Sequence, residues 1–183
     1  MLSLVHRPSR SSPHPRSRRG LTLLELLLAI AGSVVLIITA IMLYMQATSG
    51  NKLSEAFQQV QSVTAGVRSL YSGVSGYGND DFTETAVLAR LFQNKWLEGD
   101  TPINPWGGEI TLEGQGRTFT ITYTAVPQDA CAQLISMNST GFGGAVRSVT
   151  VNGEDVGTQA IDPTIATEAC DQDNDNEIVW EVR

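Results

Sequence analysis

Apolar residues fall into successive patterns along the chain. From Leu26 to Met45 they run for 20 residues without a charge, long enough for a helix to cross ~30 Å of hydrocarbon. Past a polar patch from Gln46 to Lys52, they recur three and four apart at Leu53, Ala56, Phe57, Val60, Val63, Val67, Leu70 and Tyr71. That spacing marks one apolar stripe on an amphipathic helix. No proline interrupts the segment, so the pattern predicts one helix from Leu21 to about Ser72, with Gly50 and Gly66 as candidate breaks. "SGVSGYGNDD" then reads as a turn-rich connection. In "TETAVLARLFQNKWLEG" a second helix is predicted, with Val87, Leu88, Leu91, Phe92 and Trp96 on one face, Thr83 as N-cap and Gly99 as C-cap. Packing is the expected role of that face.

The period changes to two further on. "DTPINPWGG" is a loop with Trp106 as an anchor, and "EITLEGQGRTFTITYTAV" reads as a β-hairpin. In it Ile110 and Leu112 alternate with polar residues, Gly114 to Gly116 turns, and Phe119, Ile121 and Tyr123 alternate again. "PQDACAQLISMN" starts a short helix with Pro127 near its first turn and Cys131, Leu134 and Ile135 on one face. "AVRSVTVNG" and the terminal "EIVWEVR" read as further strands. A long N-terminal helix, a small antiparallel sheet and short helices make an α+β fold.

Charge divides the chain where the patterns do. The 183 residues carry a formal charge of −7, yet residues 1–20 hold Arg7, Arg10, Arg16, Arg18 and Arg19 and no acid. The remainder has seven Lys/Arg against nineteen Asp/Glu, a net of −12, and an acidic body of this kind repels phosphate, which argues against nucleic acid as a partner. Both histidines, His6 and His14, lie in the basic head. If the head is removed, the commonest general base and metal ligand go with it. Cys131 and Cys170 fit no zinc spacing. Two buried free thiols and a disulfide both remain open, and export to an oxidising compartment favours the disulfide.

The basic head, rich in Ser, Pro and Arg, places residues 1–19 in the cytoplasm and the body outside by the positive-inside rule. A secretory signal peptide has a shorter apolar core followed by a small-residue cleavage site. Here the small residue, Gly20, precedes the apolar run, and a cut there frees the head while leaving the membrane segment on the protein.

Basic leader, Gly20, Leu21 and the lone carboxylate Glu25 five residues after the glycine together resemble a type IV prepilin signal. The resemblance implies a cut between Gly20 and Leu21 by a membrane-embedded peptidase that also methylates the new amine of Leu21. It implies three segments: a leader at 1–20, a transmembrane and filament-core helix at 21–52, and a globular head at 53–183 that includes the second half of the long helix. The implied fold is that of type IV pilins, a hydrophobic helical stalk packed on an antiparallel β-sheet head. Leu at the mature N-terminus, "NPWGGEIT" and the two "AC" cysteines are similar to the type IVb branch, including bundle-forming and plasmid thin-pilus pilins. In that family a Cys131–Cys170 pair would tie the C-terminal region to the head. The implied partners are further copies of the chain, the peptidase, an inner-membrane assembly platform and an outer-membrane secretin. The implied location is the inner membrane, then a cell-surface filament used in adhesion, aggregation or conjugative contact.

Glu25 is costly in a dry apolar segment. A cut after Gly20 exposes an α-amino group, largely cationic near neutral pH. In stacked subunits each Glu25 meets the N-terminal cation of a neighbour only in the correct register, and a buried pair of this kind specifies alignment more than it adds stability.

Other chemistry is poorly supported. "DQDNDNE", Asp171 to Glu177, lacks the glycine and the terminal glutamate of an EF-hand, and reads as a solvated acidic turn, although type II secretion pseudopilins carry a calcium loop near their C-terminus. "GVSGYG" and "GFGG" neither follow a strand nor open a helix. The expectation is no enzyme, no cofactor and no metal. A secretion pseudopilin is the nearest alternative. A signal-anchored periplasmic binding protein or enzyme is the alternative from another class.

Overall fold

A computed structural model describes residues 22–141, 144–158 and 161–183. The chain divides into two units, the first ending at Leu43 and the second running from Tyr44 to Arg183. Of the first, the described part is helical and its apolar side chains are exposed. They belong to α1 (Leu23–Leu70), 48 residues without a break. Neither Gly50 nor Gly66 interrupts it, since backbone hydrogen bonding tolerates single glycines at a cost of about 1 kcal/mol each. Gly66 has a packing reason: a Cβ there would stand 2.9 Å from Leu91 Cδ2.

The second unit holds the core. Ala56, Val60, Val63 and Val67 of α1 are buried as the stripe predicts, while Leu70 is exposed. The segment expected as one helix from Thr83 to Gly99 is instead split. It forms α2 (Thr83–Leu88), a 3₁₀ turn at Asn94–Trp96, and the short strands β1 (Leu97–Glu98) and β2 (Thr101–Pro102), which pair. The break is at Arg90, which takes φ +57°. Its N–H bonds Val87 O at 2.9 Å and that of Leu91 bonds Ala86 O at 3.0 Å, closing the helix as a Schellman motif without glycine. The caps also differ from expectation. Phe82 occupies the N-cap, the Thr83 N–H takes the Asp81 carboxylate at 2.7 Å, and Thr83 Oγ1 accepts from Leu112 N at 2.8 Å. Gly99 serves the β1–β2 turn with φ +64°. Leu88, expected on the packed face, is 76% exposed at the last position of α2.

β3 (Ile110–Gln115) and β4 (Thr118–Val126) form the predicted hairpin, turning at Gly116–Arg117. Gly114 lies inside β3 opposite Phe119, with the carbonyls of Tyr77 and Gly78 where a side chain would go. α3 (Gln128–Gly141), β5 (Val146–Val151), β6 (Glu154–Asp155), α4 (Pro163–Ala169) and β7 (Asn176–Val182) complete the chain. The five-stranded antiparallel sheet has the order β3-β4-β7-β5-β6, so the last strand is the central one. Buried Phe119, Ile121 and Tyr123 of β4 alternate with half-buried threonines, and Ile178, Trp180 and Val182 of β7 repeat the alternation beside them. α4 was missed from the sequence, although Asp162 caps it by accepting from Thr164 N at 2.8 Å and Pro163 opens it.

Candidate functional site

Thr22 immediately precedes α1, and its Oγ1 accepts from the Glu25 N–H at 3.3 Å. Thr22-Leu23-Leu24-Glu25 has the spacing of a capping box, with the carboxylate in the first turn of α1, where the helix dipole favours it. The sequence reading overlooked this local role. Glu25 is exposed within the chain, on a helix turn flanked by exposed leucines. Gly20 and Leu21 lie outside the described residues.

Cys131 of α3 and Cys170, which follows α4, form a disulfide with Cα atoms 6.0 Å apart, across 39 positions of sequence. Both are fully buried. Of the two states left open by composition, the disulfide is the one present. The acidic turn beyond it is held by amide side chains. Asn152 Nδ2 donates to Ala169 O, Asp171 Oδ1 and Asn176 Oδ1, each at 3.0 Å. Its Oδ1 accepts from Glu177 N at 3.0 Å. Buried Asn176 donates to Val126 O at 2.9 Å and to Gln172 O. Four carboxylates, Asp171, Asp173, Asp175 and Glu177, stay exposed around this frame. Among the described residues, no three acidic, His or Cys side chains converge as a metal site would require.

A second buried polar link joins α1 to the sheet. Gln59, fully buried within the apolar stripe, accepts from Tyr123 OH at 2.8 Å and donates to Ile103 O at 2.9 Å. Burial pushes the Tyr123 phenol well above its ordinary value of 10, so it stays neutral and donating. Asn104, in the loop that Trp106 was expected to anchor, is the organiser. It donates to Thr124 O at 2.7 Å and accepts from Trp106 N at 2.9 Å and Gly108 N at 3.1 Å. Trp106 itself is half-buried against the core. Near the surface, Glu55 accepts from Lys95 Nζ at 2.7 Å and from Trp96 Nε1 at 3.0 Å, which holds its carboxyl below the usual range. Neither Gln59 nor Asn104 gave a periodic signal, since a polar residue beside an apolar stripe, like the first, or in a loop, like the second, reads as surface.

The family described as PilS N terminal matches residues 51–183. The chain belongs to the PilS family of type IVb pilins. This pilin is 25% identical, over 184 aligned positions, to the major structural subunit of bundle-forming pilus of Escherichia coli O127:H6, covering 88% of this chain and 93% of that protein. The corresponding subunit of Escherichia coli O111:H- is also 25% identical, over 179 positions. The crystal structure of a type IV b pilin from Salmonella typhi superposes with a TM-score of 0.57 at 26% identity, covering 68% of this chain and 95% of that one. TcpA, a type IV pilin from Vibrio cholerae El Tor biotype, shares the fold with a TM-score of 0.52 at 13% identity, over 73% of this chain and 99% of its own.

Proposed function

We propose that this pilin is the polymerising structural subunit of a type IVb pilus, with no catalytic role of its own. It enters the inner membrane as a precursor. A prepilin peptidase removes residues 1–20 and methylates Leu21, and an assembly platform and an outer-membrane secretin carry the growing filament to the cell surface. There the heads act in adhesion, aggregation or conjugative contact. The observation that carries this reading is the apolar helix through Leu43, uncovered among the described residues and charged only at Glu25. Copies packed against one another cover such a helix, and hydrophobic burial then drives assembly. The relatives named as major structural subunits of bundle-forming pili support the same role.

The test separates the charge of Glu25 from its place in the capping box. As the sole pilin, Glu25→Val and Glu25→Gln should both be processed to an N-terminal methylated Leu21, read by mass spectrometry. Glutamine keeps a capping-box side chain but cannot pair with the cationic terminus. Both variants should therefore lower the yield of sheared filaments at least about tenfold, the scale of one mispaired charge. Normal filaments from Glu25→Gln would reduce Glu25 to a capping residue. An intact residue 1 in the mature protein would overturn the processing step.

A further inference from the structure

We propose that in the filament the arginines clustered at one end of the sheet of one copy receive the acidic turn Asp171–Glu177, at the opposite end of the sheet, of another. The proposal rests on the pilus reading above and assigns the head a contact separate from the packing of α1.

The strand pairing sorts the charges. The β3–β4 turn, the start of β5 and the end of β7 share one end of the sheet, because Phe119 and Val146 both pair with Val182. Arg117, Arg147 and Arg183 lie there, all exposed. They are three of only seven Lys/Arg after residue 20. Arg117 and Arg183 line one cleft of about 160 Å³ together with Tyr71, Ser75, Gly76 and Tyr77. Tyr77 rests on Phe119 with ring centroids 4.8 Å apart, so the cleft wall is fixed by the core. The only ion pair among the described residues is Lys95–Glu55, so none of these arginines is matched by a carboxylate. The carboxylates nearest them are Glu181, engaged with Ser148 Oγ at 3.1 Å, Glu113 on β3, and Asp80 and Asp81 of the segment bridged to β3, where Asp81 Oδ1 accepts from Thr83 N at 2.7 Å.

The other end of the same strands is acidic. Asp171, Asp173, Asp175 and Glu177 precede or open β7, and Glu154 and Asp155 lie beside them on β6, since Val151 pairs with both Glu154 and Ile178. All six are exposed. The segments at this end, 150–156 and 168–178, contain no Lys or Arg. The amide network of Asn152 and Asn176 holds the turn in one shape, so its charges are presented rather than dangling.

The two ends are separated by the seven residues of β7, about 20 Å at 3.3 Å per residue. That is more than twice the ~8 Å screening length at physiological salt, so the arginines gain little from the acidic turn of their own chain. A neighbouring copy can supply the match at contact distance. An open filament needs two different, complementary surfaces on each subunit, and charges of opposite sign at opposite ends meet that need while disfavouring like-to-like contact.

In cells making the full chain as sole pilin, Arg117→Glu with Arg183→Glu should leave the Cys131–Cys170 bond and the membrane pool of subunit intact. Sheared filament should fall at least about tenfold. Adding Asp173→Arg and Asp175→Arg to the same chain should restore filaments to within about threefold of the unaltered protein. A photo-reactive phenylalanine at position 117 should cross-link in unaltered-length filaments to a peptide containing residues 171–177, a measurement that holds even if a reversed chain fails to fold. Abundant filaments from the double Arg reversal, loss without rescue, or cross-links confined to other surfaces would each overturn the proposal. Absence of filaments from the unaltered chain would overturn the pilus reading itself.

Discussion

Gln59 is a single polar residue inside the apolar stripe of α1, and its amide meets the helix-facing side of the sheet at Tyr123 and the β2–β3 loop at Ile103. Buried donors and acceptors are costly once a partner is lost. Tyr123→Phe leaves Gln59 Oε1 without its donor and should destabilise the head by about 1–3 kcal/mol, while Gln59→Leu strands two groups and should cost at least as much. The double variant should cost less than the sum of the two, which denaturant unfolding of all three chains will measure. Additivity would mean the contact is energetically idle. The raised phenol also fixes a sign with pH. Its contribution is fully present below the ordinary value of 10 and is lost progressively as pH rises above 10 towards the raised folded-state value, because in that interval only the unfolded chain ionises.

At the scale of the element, glycines separate positions set by local helix physics from those set by neighbours. Gly50 sits inside α1 with open space where a Cβ would stand, so Gly50→Ala should stabilise by about 1 kcal/mol through helix propensity alone. Gly108, by contrast, lies where a Cβ would collide with the backbone carbonyl of Thr124 and with the Asn104 amide. Backbone cannot step aside as a side chain can. Gly108→Ala should cost about 1–3 kcal/mol or more from overpacking, and thermal unfolding of the detergent-solubilised protein should show the two shifts in opposite directions. Equal shifts would refute the steric distinction. The same contrast explains α2. Its apolar spacing continues past Leu88, but the chain turns at Arg90, and Ala86 before the turn and Phe92 after it are both buried. Tertiary packing therefore overrode a favourable local pattern.

For the whole molecule, the disulfide governs how the C-terminal third is held. Cys131 and Cys170 close a loop of 39 positions, and cross-linking a loop of that length stabilises by roughly 4 kcal/mol in the chain-entropy model. That is a large share of the 5–15 kcal/mol of a typical domain. The enclosed β5 is an inner strand beside β7, so loosening the loop weakens the sheet itself. Cys131→Ser and Cys170→Ser should match each other in protease sensitivity of the head and in loss of filaments. Thiol alkylation of the exported protein under denaturing, non-reducing conditions should find no free thiol in the parent; two alkylated thiols would refute the bond.

Much of this architecture was written in local pattern. The apolar run, the phase of the stripe at Ala56, Val60, Val63 and Val67, the β3–β4 hairpin and the α+β class follow from periodicity, which backbone geometry reads within a few residues. The processing proposed at Gly20, Leu21 and Glu25 rests on charge and spacing alone. What tertiary structure decided was everything that depends on distant partners. It set the central place of β7, the burial of Gln59, the turn at Arg90, the pairing of Cys131 with Cys170 and the gathering of Arg117, Arg147 and Arg183 at one end of the sheet. A polar side chain in an apolar stripe, or a charge in a turn, carries no local mark of the neighbour that will satisfy it. That neighbour is fixed only when strands far apart in sequence are brought into register.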